Sequence, residues 1–328
     1  MIDWGRKIPT ILTSKELLDK AFHKASKITL RGNTRLDTAK KTSLAKISAS
    51  GDVLNSTLMK YVKAFPNLDR KEEFYSELVD VLVGVDPLKK SLGAVSWCAK
   101  KCSGLQREYL RRIRWSKDVT VVDHLRIEYY GRISSVVSQI SKDLEFLGES
   151  RNKLRKLPNI DTGIPTAVIA GFPNVGKSQL IEKLSNARPA IAVYPFTTKG
   201  VGVGHFTNRW QTFQLVDTPG LLDRPLEERN AIERQAVLAI KYLADLIVFM
   251  IDPTETSGYS IDIQLHLLGS LKEWMPEVPI IEVENKVDLG RSTSDRIKIS
   301  ALDGEGVEEL RVAIMEVLAA SPKLSSEV

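Results

Sequence analysis

The chain is 328 residues long, 43% of them hydrophobic, and carries a formal net charge of +6. It is long enough for two domains with sizeable cores, and no apolar run reaches the roughly 18 residues of a membrane-spanning helix. The first residues lack the apolar stretch of a secretory signal, and the two cysteines, Cys98 and Cys102, are expected to be reduced thiols. Membrane transport and secreted disulfide scaffolds are therefore excluded, and we expect an intracellular protein with no membrane partner.

The charge is divided unevenly along the chain. Residues 1–158 contain 31 Lys and Arg against 18 Asp and Glu, a net charge of +13, whereas residues 159–328 contain 16 against 23, a net charge of −7. Basic modules commonly bind polyanions such as nucleic acids. A segment that combines charge with Pro and Gly, residues 151–163, marks a junction, so we predict two domains, 1–158 and 159–328.

Apolar residues recur at three- and four-residue steps through the basic half, as in amphipathic helices. The first helix begins at a capping box formed by Thr13 and Glu16, and the second pattern is interrupted at Gly51-Asp52. The predicted helical stretches are 13–31, 36–65, 74–82, 86–115 and, as one long helix if it is unbroken, 122–147. Their natural packing is an antiparallel helical bundle.

The densest mixture of cationic and aromatic side chains lies near the end of the fourth helical stretch. Guanidinium groups can bind phosphate through paired hydrogen bonds, and aromatic rings can stack on unpaired bases, which favours RNA binding. The alternative is a solvated helix face beside a core aromatic residue. The residues of this cluster are Arg107, Tyr109, Arg111, Arg112, Arg114 and Trp115.

The acidic half contains the pattern Gly-x4-Gly-Lys-Ser, which predicts a phosphate-binding loop. The loop follows an apolar run, Thr166–Ala170, that is typical of a buried parallel strand, and it precedes a helical pattern. In that context backbone N–H groups surround phosphate oxygens, Lys177 reaches the terminal phosphates and Ser178 supplies a hydroxyl to Mg2+. The candidate loop residues are Gly171, Phe172, Pro173, Asn174, Val175, Gly176, Lys177 and Ser178.

Two later loops are expected to sense the γ-phosphate. Thr198, with Thr197 as second choice, lies in a Pro-containing loop where a threonine hydroxyl can complete Mg2+ coordination. Asp217 ends another buried strand, at the edge where α/β sheets bind ligands, and can hold Mg2+ through water. Gly220 lets its backbone N–H approach the γ-phosphate. Lys177, Thr198 and Gly220 are the candidate catalytic groups.

The pattern Asn285-Lys-Val-Asp288 predicts which base is bound. The Asp288 carboxylate can accept two hydrogen bonds from guanine, a pair of donors that adenine lacks, and the stem of Lys286 can pack over the ring. Within Ser300-Ala301-Leu302, the Ala301 N–H could reach guanine O6. The sequence therefore predicts GTP or GDP with Mg2+, and it disfavours a metabolic P-loop kinase. The predicted fold is an α/β P-loop GTPase domain, a mostly parallel sheet with helices on both faces, preceded by the all-α bundle.

These motifs resemble those of the Obg-like GTPases, whose first switch carries Tyr-x-Phe-Thr-Thr, as residues 194–198 do here. The helical half, with Trp4, Ile8 and Pro9 at its start, resembles the nucleolar GTP-binding protein 1 (Nog) family. The resemblance implies GTP hydrolysis during assembly of the large ribosomal subunit, with ribosomal RNA and the pre-large-subunit particle as partners. Eukaryotic members continue well past the GTPase domain, so the chain resembles a short archaeal member. This resemblance implies a cytoplasmic location. We expect the chain to be monomeric.

Leu221 stands where many GTPases place a water-positioning Gln. The family therefore implies slow intrinsic hydrolysis that a partner or a monovalent cation assists. The alternative is a non-catalytic module whose interaction surface GTP stabilises. Asn174 also has two interpretations: its side-chain oxygen could ligate K+, as in related GTPases that lack the Gln, or it caps the turn through a hydrogen bond to the backbone.

Overall fold

The computed structural model describes residues 8–65, 73–157, 160–187, 189–192, 201–208, 211–217, 222, 237, 240–321 and 323. These residues fall into two compact units. The described residues of Trp4–Asn67 and Val83–Arg155 form the helical unit, and those of Leu68–Leu82 and Lys156–Val328 form the second, sheet-containing unit. The predicted division at residues 158 and 159 stays a prediction, and the grouping of Leu68–Leu82 with the second unit is a feature that the sequence did not indicate.

Six helices of the amino-terminal half are described. They are α1 (Ser14–Ser26), α2 (Arg35–Ala64), α3 (Glu73–Val83), α4 (Val85–Trp115), α5 (Val119–Gln139) and α6 (Ser141–Leu154). The capping box at the start of α1 is confirmed, because the Thr13 hydroxyl accepts from the Glu16 N–H at 3.3 Å and the Thr13 N–H donates to the Glu16 carboxylate at 2.8 Å. These bonds satisfy N–H groups that a helix start otherwise leaves unpaired.

The predicted interruption at Gly51-Asp52 is wrong, because α2 runs through it without a break. A Cβ at Gly51 would collide with the side chain of Gln106 on α4. Gln106 in turn donates to the backbone oxygen of Ser48 at 3.1 Å and to the Asp52 carboxylate at 2.9 Å. The glycine therefore permits close approach of two helices, and the helical hydrogen bonding around it is retained.

The single long helix considered for residues 122–147 is two helices. Ile140 has φ −98° and ψ 16°, outside the helical range, and it separates α5 from α6. The apolar stripe continues across this break, since Val136, Leu144 and Leu147 are all buried. Periodicity alone therefore did not locate the break.

Helix α3 lies in the second unit because of a buried contact to the chain just before the first strand. The Tyr75 hydroxyl donates to the backbone oxygen of Ile160 at 2.7 Å and accepts from the Ile160 N–H at 2.9 Å. Tyr75 and Ile160 are each about 1% exposed. A buried hydroxyl that both donates and accepts is fully used, which ties α3 to this segment.

The described residues of the second unit form one seven-stranded sheet. The strands are β1 (Thr166–Ala170), β2 (Ala190–Ala192), β3 (Val201–Asn208), β4 (Gln211–Asp217), β5 (Leu246–Ile251), β6 (Ile280–Glu284) and β7 (Ile297–Lys298), in the order β2-β3-β4-β1-β5-β6-β7. Pairing is parallel from β4 through β7, whereas β3 pairs antiparallel with β2 and β4. The predicted all-α domain followed by a mostly parallel α/β domain is confirmed.

Three further helices are described in this unit, α7 (Lys177–Leu184), α8 (Ile261–Trp274) and α9 (Val307–Ala319). Helices α7 and α9 contact each other, with α7 against β3 and β4 and α9 against β1 and β5, while α8 contacts β5. Strands β1 and β5 are buried along their whole length, which is why they read as continuous apolar runs. This arrangement brings the carboxyl ends of β1, β4, β5 and β6 to one edge of the sheet.

Candidate nucleotide site and basic helical face

The phosphate-binding loop leaves the carboxyl end of β1, which lies between β4 and β5. Gly171, Asn174 and Gly176 have positive φ angles of 131°, 62° and 102°. Such angles suit glycine and, among other residues, asparagine, and here they turn the chain sharply into α7, which begins at Lys177. A helix start preceded by such a turn presents backbone N–H groups to an anion.

The side chains of Lys177 and Ser178 both make hydrogen bonds within the candidate site. Lys177 Nζ donates to the backbone oxygens of Gly171 at 2.8 Å and Phe172 at 2.7 Å, so the ammonium is held inside its own loop. The Ser178 hydroxyl donates to Asp217 Oδ2 at 2.6 Å. A hydroxyl at the start of α7 and a carboxylate at the end of β4, which is buried at 4% exposed, therefore lie next to each other. Oxygen donors of this kind fit Mg2+.

Asn285 links the phosphate loop to a second loop of the candidate site. Its amide nitrogen donates to the backbone oxygen of Val175 at 2.7 Å, and its amide oxygen accepts from the Ala301 N–H at 2.8 Å. This buried side chain therefore ties the phosphate loop to the Ser300-Ala301-Leu302 segment. A side chain at Gly176 would collide with the Asn285 amide, which adds a second reason for glycine there. Because the Ala301 N–H already has a partner, its contact with guanine O6 stays a prediction.

The other two residues predicted to recognise the base, Lys286 and Asp288, have different surroundings. Lys286 Nζ is bound to Asp252 Oδ2 at 2.7 Å and to the Thr256 hydroxyl at 2.8 Å. Asp288 is exposed and makes no hydrogen bond to the residues that the structure describes. Leu302 is also exposed, at 63%, whereas the hydroxyl of buried Ser300 contacts the Asp303 carboxylate at 3.2 Å. Asp288 is thus available to a ligand, and Ser300 shapes the loop that carries Ala301.

Asp252 is a candidate site residue that the sequence interpretation missed. It follows β5 directly and is fully buried. Burial by itself raises the pKa of its carboxyl, but hydrogen bonds from Lys286, Thr254 and Ser257 outweigh that effect and lower the pKa to about 2. A signal for it existed in the sequence, since Asp252 ends a buried strand next to β1, just as Asp217 does.

Some of the predicted site residues lie outside the described part of the chain. They are Thr197, Thr198, Gly220 and Leu221. Asn174 is described and exposed, and its side chain makes no capping hydrogen bond to the described residues. Pro173, between it and Phe172, is half-buried, while Phe172 packs its ring 4.4 Å from that of Tyr259. The roles of all these residues toward a nucleotide stay predictions.

The basic cluster of the helical unit is only partly available for RNA. Tyr109 is fully buried, which agrees with the alternative of a core aromatic residue, whereas Trp115 is 81% exposed. Arg112 lies over the Tyr109 ring and pairs with Glu108 at 3.7 Å and Glu128 at 3.4 Å. The exposed cations of this face that have no ion pair among the described residues are Arg107, Arg111 and Arg114.

Among the helices that the structure describes, none is both long enough and apolar enough to traverse a bilayer.

Comparison with known proteins covers both units. A family model described as the NOG1 N-terminal helical domain matches residues 6–161, and one described as nucleolar GTP-binding protein 1 matches residues 231–288. An uncharacterized protein of Methanocaldococcus jannaschii is 42% identical over 87% of this chain and 81% of its own length. The nucleolar GTP-binding protein 1 of Saccharomyces cerevisiae is 30% identical over 100% of this chain, but over only 50% of its own length.

Among solved structures, a crystal structure assigned to nucleolar GTP-binding protein 1 of Plasmodium falciparum is 31% identical over 52% of this chain and 93% of that chain, with a TM-score of 0.45. The present chain spans about half the length of the eukaryotic relatives, for example 43% of the Dictyostelium discoideum protein and 50% of the yeast protein.

Proposed function

Because this chain belongs to the nucleolar GTP-binding protein 1 family, we propose that it is a GTP-binding switch that hydrolyses GTP to GDP and phosphate during assembly of the large ribosomal subunit. The observation that carries the proposal is the pair of bonds made by Asn285, to Val175 at 2.7 Å and from Ala301 at 2.8 Å. These bonds join the phosphate loop to the base-recognition segments in one rigid frame. Such a frame can hold a nucleotide by both of its ends.

Different residues of this frame would bind different parts of GTP. The loop N–H groups and Lys177 would surround the phosphates, since the ammonium is already fixed at 2.8 Å from Gly171 O. The exposed carboxylate of Asp288 would accept from the guanine N1–H and amine, which selects GTP over ATP. The stem of Lys286 would cover one face of the base. Thr198 and Gly220, outside the described residues, would respond to the γ-phosphate.

Ser178 and Asp217 would hold Mg2+, because their oxygens already meet at 2.6 Å and one of them is a buried carboxylate. When bound, the ion would neutralise negative charge on the phosphate oxygens. The loop N–H groups and Lys177 would stabilise the same charge as it grows in the transition state. The side chain of Leu221 has no hydrogen-bonding group to orient a water molecule, so intrinsic turnover would be slow.

Potassium would supply the missing positive charge near Asn174. That residue is exposed, in a left-handed conformation, and makes no turn-capping bond to the described residues, which leaves its oxygen available to a cation. Hydrolysis should therefore be faster in K+ than in Na+ at equal ionic strength, and Asn174→Ala should remove the difference while GTP affinity stays nearly unchanged. Equal hydrolysis rates in K+ and Na+ would instead mean that a macromolecular partner replaces the water-positioning group that Leu221 lacks.

The helical unit would dock on ribosomal RNA. The amino-terminal half of the chain has a net charge of +13, and its exposed face carries Arg107, Arg111 and Arg114 beside the exposed Trp115. Guanidinium groups bind phosphate, and an exposed indole can stack on an unpaired base. Release after hydrolysis would follow from a change in the loops that contact the γ-phosphate.

Calorimetry with GTP, GDP and ATP tests the binding proposal, with binding of the guanine nucleotides alone as the expected result. Co-sedimentation with large ribosomal subunits tests the switch, since more of the chain should bind the subunits in GTP than in GDP. A second candidate, a non-catalytic module that GTP stabilises, is favoured by Leu221. Phosphate release over many turnovers separates the two candidates, since only a GTPase would release more than one phosphate per chain, and more with subunits present.

A further inference from the structure

Lys286 is held by contacts that the nucleotide-binding motifs do not include. Its Nζ donates to Asp252 Oδ2 at 2.7 Å and to the Thr256 hydroxyl at 2.8 Å, and its backbone has a φ of 67°. Lysine rarely adopts this left-handed conformation, which persists only where the surrounding contacts fix it. The side chain is therefore fixed at both ends, by its backbone and by its ammonium.

The carboxylate that receives Lys286 is itself fixed. Asp252 is fully buried, and its Oδ1 accepts from the Thr254 N–H at 3.0 Å and hydroxyl at 2.5 Å. Its Oδ2 accepts from the Ser257 N–H at 2.7 Å and from the Thr256 hydroxyl at 3.1 Å. Every one of these partners is a donor, so both carboxylate oxygens are used as acceptors and the group is held in place.

Gln264 on α8 fixes the backbone of Asp252 in the same way. Its amide oxygen accepts from the Asp252 N–H at 2.8 Å, and its amide nitrogen donates to the Asp252 carbonyl at 3.0 Å. The same nitrogen donates to the carbonyl of Tyr259 at 2.9 Å. Because the Tyr259 ring contacts Phe172, this network extends from Lys286 to the phosphate loop.

We propose that Asp252 and Thr256 are positioning residues, which draw the Lys286 ammonium aside so that its methylene stem forms one wall of the guanine pocket and slows nucleotide release. This inference rests on the GTP binding proposed above. A lysine whose ammonium is bonded elsewhere offers carbon atoms to a base, and these pack against an aromatic face without the cost of desolvating a charge. A freely moving lysine would provide that wall only part of the time.

The test uses two threonines whose hydroxyls lie 3.0 Å apart and share the Asp252 carboxylate, and of which only Thr256 contacts Lys286. Both hydroxyls donate to the Asp252 carboxylate, but only that of Thr256 also contacts the lysine. Thr254→Val and Thr256→Val keep the branched shape and remove one hydroxyl each. Asp252→Asn is unsuitable, because its amide N–H group would face backbone N–H donors and disturb the loop.

The measurement is the rate at which a fluorescent GDP analogue leaves the full chain, with the melting temperature recorded alongside. Thr256→Val should release GDP about fivefold faster than the wild type, Thr254→Val should release it at close to the wild-type rate, and the two should have similar melting temperatures. Thr256→Ser keeps the hydroxyl and should restore slow release. In a Lys286→Met chain, adding Thr256→Val should cause no further acceleration.

Equal release rates from the two valine variants would overturn the positioning role, because a purely structural loop would respond alike to both losses. Further acceleration by Thr256→Val in the Lys286→Met chain would overturn it as well, since Thr256 would then act without the lysine. Failure of the wild-type chain to bind GDP is a separate outcome, which would overturn the proposed function itself.

Discussion

The two units bury different kinds of polar side chain. The buried polar residues of the described helical unit are all serines, namely Ser43, Ser50, Ser91 and Ser150. The described sheet-containing unit buries Lys177, Asp217, Asp252 and Glu284, and also Gln214, Gln264 and Asn285. Burying a charge costs free energy unless it is paired, so a unit keeps such groups where they have a task. The helical unit thus depends on apolar packing with its charge outside, whereas the other unit depends on paired polar groups inside.

The largest expected effect comes from the buried amide that joins the loops. Asn285→Ala leaves the Val175 carbonyl and the Ala301 N–H buried without a partner, which should lower the free energy of unfolding by about 2–4 kcal/mol. GDP affinity measured by calorimetry should fall at least about 100-fold, since both loops lose their position. As a control, Ser321→Ala removes one bond to Asp245 at the start of β5 and should leave GDP affinity unchanged. A wild-type GDP affinity in Asn285→Ala would contradict the proposal that Asn285 holds the two loops in position.

Base selection should respond next. Asp288→Asn replaces a carboxylate that accepts two guanine hydrogen bonds, so GTP affinity should fall about 100-fold while xanthosine triphosphate binds better. Competition between GTP and xanthosine triphosphate for binding to the full chain measures this change of base preference. Asp295→Asn changes another exposed carboxylate of the same unit and should change neither affinity. An unchanged GTP affinity would show that the base is recognised elsewhere.

A buried ion pair should also make the sheet-containing unit sensitive to acid. The pKa of Asp252 in the folded chain is about 2, below its ordinary value of 3.8, so its contribution is complete above about pH 4 and is lost as the pH falls toward 2. The loss amounts to about 2 kcal/mol of unfolding free energy. Denaturation of the wild type and Asp252→Ala from pH 5 to pH 2 should give a difference in stability that becomes smaller toward the acid end. A constant difference would contradict the lowered pKa.

In the helical unit the sensitive positions should be places where two helices approach closely. Gly51→Ala places a methyl group against Gln106 and should lower the free energy of unfolding by about 1–2 kcal/mol. Gly104→Ala on α4 meets no atom within 4 Å and should raise it by about 0.5–1 kcal/mol, because alanine favours helix. Chemical denaturation measures both. Equal effects of the two substitutions would mean that α2 and α4 do not approach as closely as the structure has them.

The smallest effect should lie on the outer face of the bundle. Arg111→Ala should weaken binding to ribosomal RNA about fivefold and lower the slope of log affinity against log salt by about one, since one phosphate contact is lost. Arg112→Ala should change the affinity less than about twofold, because Arg112 already pairs with Glu108 and Glu128. Binding titrations at several salt concentrations compare the two. A larger loss for Arg112→Ala would place the RNA on another part of this face.

The sequence indicated most elements because local chemistry fixes them. The capping box of Thr13 and Glu16 and the buried runs of β1 and β5 are properties of neighbouring residues, and they form as predicted. Asp217 was proposed as a site residue because ligand-binding residues follow buried strands. The same rule applies to Asp252, but Asp252 was missed because it does not belong to a sequence motif of known spacing.

By itself the sequence determined which residue types stand at the strand ends and at the helix start, and therefore the class of site, since these depend on short-range order along the chain. Only the tertiary structure decided that Asn285 bridges two loops and that Gly51 admits Gln106 from another helix. It also decided that Arg112, unlike its neighbour Arg111, is ion-paired. Such contacts join residues far apart in the chain, and a side chain's partner there depends on how whole elements pack, which no local pattern records.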